Sequence, residues 1–185
     1  SVYYKGCMEL VYGLRRFKPG PVHHALVHLE RSGIVRGIIT QNIDMLHQKA
    51  GSKTVYEVHG SPILHHCFGC GQEKTFDEIC AMLEDTPVPR CGHCGEAFKP
   101  DITFFGEMLP EQAFEQSVAL ARQADLMLVL GSSLTVHPVA SIPPLTVRAG
   151  GELVIVNAQP TPLDQIATLL YPDLNAFADA VLQVH

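Results

Sequence analysis

The chain has 185 residues, a formal charge of −6 and a pI near 5.9, which is room for one full domain or for a domain carrying a small insert. Its 46% hydrophobic and 17% charged residues can build a real core. The acidic balance, with 13 scattered Lys and Arg, speaks against the clustered basic surface that nucleic acid requires. No apolar run approaches the roughly 20 residues needed to span a bilayer. Ser1 to Glu9 is aromatic and mixed, unlike a basic-then-apolar leader, and Ser1-Val2-Tyr3-Tyr4-Lys5 reads as the middle of a polypeptide. The expected location is the cytoplasm. A macromolecular partner should be met through local chemistry, such as a cationic peptide.

In chain order, Tyr3 to Lys18 reads as helical, with Met8, Leu10, Val11 and Leu14 on one face, until Pro19-Gly20-Pro21 breaks it. Val22 to Glu30 resumes helical spacing, and Ser32-Gly33 closes it. A strand is predicted over Gly37 to Thr40, a helix over Asn42 to Ala50 ended by Gly51, and a short β-like run over Val55 to Val58. Composition changes between residues 61 and 100, which hold five of the six cysteines, four of them in two knuckles. Leu109-Pro110-Glu111 opens a helix to about Ala124, with Pro110 suited to its first position. Leu126 to Leu130 is an apolar run ending in Gly131-Ser132-Ser133. Val139 to Val147 is mixed, with Pro143-Pro144 expected to interrupt any helix. Leu153 to Val156 is a third apolar run, ending in Asn157, and Asn175 to Gln183 makes a last amphipathic helix. Apolar runs without alternation belong to strands buried on both faces. The expected fold class is therefore α/β, a Rossmann-like parallel sheet with a small inserted module.

The first of those strands stops abruptly in Gln41, Asn42 and Asp44, and His59-Gly60 follows a short way downstream. Ligands of open parallel sheets sit in the crevice beyond the carboxyl ends of the strands. Asn42 and Asp44 could equally cap the following helix. The cysteines are more specific. Cys67-x-x-Cys70 and Cys91-x-x-Cys94 stand 20 residues apart, each pair followed by glycine. Two such turns supply a tetrahedral four-thiolate zinc site with no open position, hence a structural one; two disulfides are the alternative. His65, His66 and His93 are surplus to that count, and Cys7 and Cys80 read as small apolar residues.

At this point several motifs together resemble a sirtuin. They are Thr40-Gln41-Asn42-Ile43-Asp44-x-Leu46-His47, Glu57-x-His59-Gly60, the cysteine knuckles, Phe104-Phe105-Gly106-Glu107, Gly131-Ser132-Ser133-Leu134 with Val136-x-Pro138, and Val154-Ile155-Val156-Asn157. The resemblance runs in order from about Pro19 to the C-terminus. It implies an NAD-dependent protein lysine deacylase with one structural zinc, acting on an acyl-lysine protein or peptide, without direct nucleic-acid or membrane partners. It implies a helical part of a small domain over residues 1–20, a Rossmann-like NAD-binding domain over 20–60 and 104–185, and a zinc-binding module over 61–103. The family also begins with a strand, a G-A-G-x-S turn and a P-D-F-R loop that are not found here. The expectation is a sirtuin sequence lacking that segment, whose isolated chain binds NAD poorly.

In the family the acyl-lysine carbonyl oxygen attacks C1′ of the nicotinamide ribose as nicotinamide leaves. Collapse through the ribose 2′-hydroxyl then gives free lysine and an O-acyl-ADP-ribose. The resemblance makes His59 the general base, and an ordinary imidazole pKa of about 6.5 suits that task. It places Asn42 and Asp44 at the nicotinamide pocket and Gln41 at the ribose. Gly131, Ser132 and Ser133 fall beside phosphate and ribose, Asn157, Ala158 and Gln159 at the adenosine ribose, and Asp173 or Leu174 near adenine. Thr103, Phe104, Phe105, Gly106 and Glu107 form the segment on which the peptide adds as a strand. Tyr12-Gly13-Leu14-Arg15 fits the Tyr-x-x-Arg pattern of acidic-acyl sirtuins but lies too close to His23, which favours acetyl over succinyl. A catalytically inactive zinc-stabilised binding fragment and a mono-ADP-ribosyltransferase are the rival readings.

Overall fold

The computed structural model describes residues 11–184, which divide into two compact units. One contains the chain up to Lys18, Asn42–Met45 and His59–Leu109; the other contains Pro19–Gln41, Leu46–Val58 and the chain from Pro110 on. Of the helix expected over Tyr3 to Lys18, Tyr12–Arg16 forms a 3-10 turn and the part before Val11 lies outside the described residues.

The larger unit opens with α1 (Pro21–Arg31), which starts on proline, whose missing N–H costs nothing there. It ends with Ile34 N–H on Leu29 O and Gly33 N–H on Glu30 O, both at 3.0 Å, the paired bonds of a Schellman cap. Strand β1 (Ile38–Thr40) runs parallel to β2 (Val55–Glu57), with Ile38 opposite Val55, and helix α2 (Leu46–Ala50) lies between them in sequence. The Glu30 carboxylate receives Lys53 N–H at 3.1 Å and Thr54 N–H at 2.9 Å, tying the end of α1 to the entry of β2.

The helix expected over Asn42 to Ala50 forms only from Leu46. Residues 42–45 belong to the other unit, where Met45 is buried in the core, Ile43 packs beside it, and Met45 takes φ +60°. Burial of those two side chains outweighs continuation of the helix.

A second parallel sheet has the order β6-β7-β8, formed by Leu126–Leu130, Glu152–Val156 and Leu169–Tyr171. The last strand carried no clear sequence signal. Val129, Leu134, Leu153 and Ile155 form its core. Helix α4 (Glu111–Gln123) begins one residue later than expected, with Pro110 as N-cap. Pro143 and Pro144 initiate α5 (Pro143–Arg148) instead of interrupting a helix, because the first turn needs no N–H from them. Thr146, fully buried on α5, donates its hydroxyl to Ala121 O at 2.7 Å. Helix α6 (Leu174–Gln183) packs on α1 and is capped by Asp173, which accepts from Asn175 and Ala176 N–H at 2.8 and 3.0 Å.

The smaller unit is an antiparallel sheet of order β4-β3-β5, comprising Glu73–Thr75, Gly60–Cys67 and Phe98–Ile102. Helix α3 (Phe76–Asp85) covers it, started by a Thr75–Glu78 capping box. Its core combines Phe76, Ile79, Phe98 and Ile102 with the thiols of Cys67, Cys80 and Cys91. His65 is fully buried beside Tyr12 and Phe76, with Nε2 3.1 Å from the Tyr12 hydroxyl. Burial lowers its pKa to about 4, so the ring is neutral.

Candidate active site and metal centre

The two knuckles bring Cys67, Cys70, Cys91 and Cys94 together, with all four sulfurs within 4.8 Å of one another. Cys67 Sγ lies 3.3 Å from Cys94 Sγ, and Cys70 Sγ 3.6 Å from Cys91 Sγ. A disulfide would need about 2.05 Å. Sulfurs about 2.3 Å from a central zinc stand about 3.8 Å apart, so the set fits one tetrahedral ion. The disulfide alternative is not the arrangement adopted. Desolvation opposes the Cys67 thiolate, but backbone N–H groups of Cys70 and Gly69 and the Cys94 thiol overcome it and hold the pKa at about 6. Cys94 is pushed up to about 12: its bond from Glu96 N–H favours the thiolate, and the neighbouring cysteine sulfurs outweigh it. His66, outside the cluster, bridges Asp101 at 2.6 Å and Glu73 at 3.2 Å; the Asp101 bond leads in raising its pKa.

The smaller unit also holds Asn42, Asp44 and His59. His59 and Asp44 are half-buried and Asn42 is exposed. His59 precedes β3, and its carbonyl accepts Thr103 N–H at 2.8 Å. Gly60 explains why the turn can close there. It has φ +75°, and a Cβ would lie 2.1 Å from Asp101 O, so only glycine lets β3 meet β5 directly after His59.

Thr103 to Glu107 forms a turn after β5. Glu107 N–H donates to Phe104 O at 2.9 Å, and Phe104 N–H returns to Glu107 Oε2 at 3.0 Å. Phe104 packs partly against the core while Phe105 is fully exposed. The Glu107 carboxyl is held below the usual range by Phe104 N–H first and the Lys99 ammonium second.

The larger unit holds Gln41, Gly131, Ser132, Ser133, Asn157, Ala158, Gln159, Asp173 and Leu174. Gly131, at φ +61°, ends β6 with its N–H on Val156 O at 2.9 Å; a Cβ would sit 3.0 Å from Leu174 Cδ1. Ser132 Oγ accepts Leu134 N–H at 3.2 Å, and Ser133 Oγ lies 2.9 Å from Thr135 Oγ1. At the carboxyl ends of β7 and β8 lies a cavity of about 200 Å³ lined by Asn157, Ala158, Gln159, Asp164 and Tyr171, with Ile155 and Leu170 at its apolar side. Asn157 Nδ2 donates to Gln159 O at 2.8 Å, and Asp164 accepts the Thr161 hydroxyl at 2.6 Å. Sequence reading missed Asp164 and Tyr171. The Thr161-x-x-Asp164 spacing was a legible turn signal, whereas the strand carrying Tyr171 had none.

Fold and site define an α/β protein with polar groups at the ends of parallel strands and a closed four-thiolate module. The model of the Sir2 family matches residues 1–138. A Thermotoga maritima NAD-dependent protein deacetylase is 44% identical over 98% of this chain, which spans 74% of that relative. An Archaeoglobus fulgidus NAD-dependent protein deacylase 2 is 43% identical over 80% of the chain and 59% of the relative. A solved complex of Sir2 with a p53 peptide and NAD+ superposes with a TM-score of 0.92 at 44% identity, covering 98% of this chain and 76% of that one. The chain belongs to the Sir2 family.

Proposed function

We infer that this chain carries an NAD-dependent protein lysine deacylase activity, yielding nicotinamide, free lysine and an O-acyl-ADP-ribose. What carries the reading is the 44% identity to a named deacetylase over 98% of the chain, together with the strand-end groups described above. Solved relatives bound to acetylated and propionylated peptides support acyl-lysine as the substrate class.

The cavity beyond β7 and β8 suits an adenosine moiety, with apolar Ile155 and Leu170 for a flat base and Asn157 and Gln159 as polar rim. NAD, when bound, supplies the electrophilic ribose carbon. His59 serves as general base, its backbone fixed by the Thr103 bond and by the closure at Gly60. Asn42 and Asp44 hold the carboxamide end and Gln41 orients the ribose. Gly131, Ser132 and Ser133 offer backbone and hydroxyl groups to the phosphate side. Asp173 already caps α6, so its contribution near adenine falls to the oxygen that helix leaves over. Thr103 to Glu107 receives the peptide main chain. The zinc organises its module and takes no part in chemistry, since four thiolates leave no open position. A cytoplasmic location belongs to the same reading, since paired cysteine knuckles used for metal and not for disulfides are the pattern of reducing compartments.

The test is nicotinamide release by the whole natural polypeptide, with and without an acetyl-lysine peptide. Release should require the peptide, and His59→Ala should lower kcat by at least about a hundredfold, the lower end for a lost general base. Radiolabelled NAD that marks protein without deacylated product would sink the reading in favour of ADP-ribosyl transfer.

A further inference from the structure

Lys99, on β5, had no role in the sequence reading. Its ammonium donates to Ile102 O at 3.0 Å and to Glu107 Oε2 at 3.0 Å, and lies 4.8 Å over the ring of Phe104. The same Glu107 oxygen accepts Phe104 N–H, and Glu107 N–H returns to Phe104 O. These contacts form a closed circuit: Glu107 ties the turn to itself, and Lys99 bolts the turn to the last residue of the strand.

We propose that Lys99 and Glu107 are positioning residues that preset the Thr103–Gly106 segment for an incoming acyl-lysine peptide. This rests on the reading of that segment as the peptide-binding strand. Alone, an ion pair with side chains 25% and 43% exposed would matter little. Coupled to two backbone groups and an aromatic face, it fixes one loop conformation, because breaking any member loosens the others. An added strand needs main-chain donors and acceptors already in register. A loop ordered beforehand loses less freedom on binding, so the circuit acts on peptide affinity. It also divides the two phenylalanines: the cation holds Phe104 inward, and Phe105 stays exposed.

The experiment is calorimetric titration of an acetyl-lysine peptide and its unacylated twin into wild type, Lys99→Met, Lys99→Arg, Glu107→Ala and the Lys99→Met/Glu107→Ala double variant. Lys99→Met and Glu107→Ala should each weaken acetyl-peptide binding about tenfold, the loss expected from one charge-assisted hydrogen bond. The double variant should be no worse than either single one, and Lys99→Arg should recover most of the affinity. Zinc content and melting midpoint should stay near wild type, and in turnover the loss should fall on the peptide KM and not on kcat. Lys99→Met binding like wild type, or additive losses in the double variant, overturns the proposal. Should Lys99→Met fail to fold, Glu107→Ala reads the same circuit from its other end. If wild type itself does not prefer the acetylated peptide, the deacylase reading falls and this proposal with it. If wild type discriminates and the variants match it, the proposal alone falls.

Discussion

The two units are held together by different physics. The parallel-sheet unit relies on apolar burial: Leu153 and Ile155 are at most 2% exposed and form the sheet's core with Val129 and Leu134. The knuckle-bearing unit has a core in which two of ten buried members are metal-site thiols. Its short strands and turns gather four sulfurs that repel as thiolates until a cation joins them. Removing metal should therefore separate the units more sharply than any single substitution. Structural zinc sites contribute on the order of 10 kcal/mol or more of folding free energy. Chelation, or Cys91→Ser, should erase the amide signals of Ile79 and Phe98 while those of Leu153 and Ile155 persist. Metal content measured alongside should be one zinc per chain. Unchanged Ile79 and Phe98 signals after complete metal loss would break the comparison.

The converse substitution acts on the other unit. Leu153→Ala leaves a cavity under β7 and should cost about 3 kcal/mol in a urea titration, within the usual range for a buried leucine. Zinc content should not change. A loss no larger than that of a surface substitution would mean that the sheet core is not where this unit's stability lies.

The contrast also explains what was legible in the sequence. The strands over Leu126–Leu130 and Glu152–Val156 were visible as unbroken apolar runs, but the two-faced burial expected of them holds only in part: Leu153, Ile155 and Val156 are buried in β7, whereas in β6 Val129 alone is and Leu126 is 46% exposed. The metal site was visible because thiolate spacing is local. In the knuckle-bearing unit, β3 reads Gly-Ser-Pro-Ile-Leu-His-His-Cys, and its burial alternates irregularly around a bulge between Ser61 and His65. No period-two pattern survives there. The Asn42–Met45 segment was misread as helix because the competing force, burial of Ile43 and Met45 in a core distant in sequence, leaves no local mark. Strand-end residues such as Gly131 and Asn157 were legible through family motifs. Lys99 and Asp164 depend on tertiary placement and were not.

A smaller effect probes a joint inside the larger unit. The Glu30 carboxylate accepts the N–H groups of Lys53 and Thr54, the latter partly buried. Glu30→Ala leaves those donors unmet and should cost about 1–2 kcal/mol in urea unfolding. Glu30→Gln keeps an acceptor and should recover roughly half of that by the same reasoning about unmet donors. If alanine and glutamine behave alike, the carboxylate does not fasten α1 to β2, and burial alone holds this unit.

The smallest effect belongs to the exposed start of α3. Glu78 receives Lys74 Nζ at 2.6 Å and Thr75 N–H at 2.8 Å, while its own N–H donates to Thr75 Oγ1 at 3.3 Å. The Lys74 ammonium first, then the Thr75 N–H and hydroxyl, lower its pKa from 4.5 to about 2. A folded-state pKa below the unfolded one means that the capping box is fully supported above about pH 4.5 and is lost as pH falls toward about 2. Water screens so exposed a group, so the effect belongs to the helix end and not to global stability. A carboxyl-carbon NMR titration should place the Glu78 midpoint well below that of an ordinary glutamate. Glu78→Gln should speed amide exchange at the start of α3 without altering zinc content. A midpoint at the ordinary value would show that helix α3 is set by Phe76 and Ile79 packing over the sheet and that its polar start is incidental, bringing the smaller unit closer to its neighbour in what holds it.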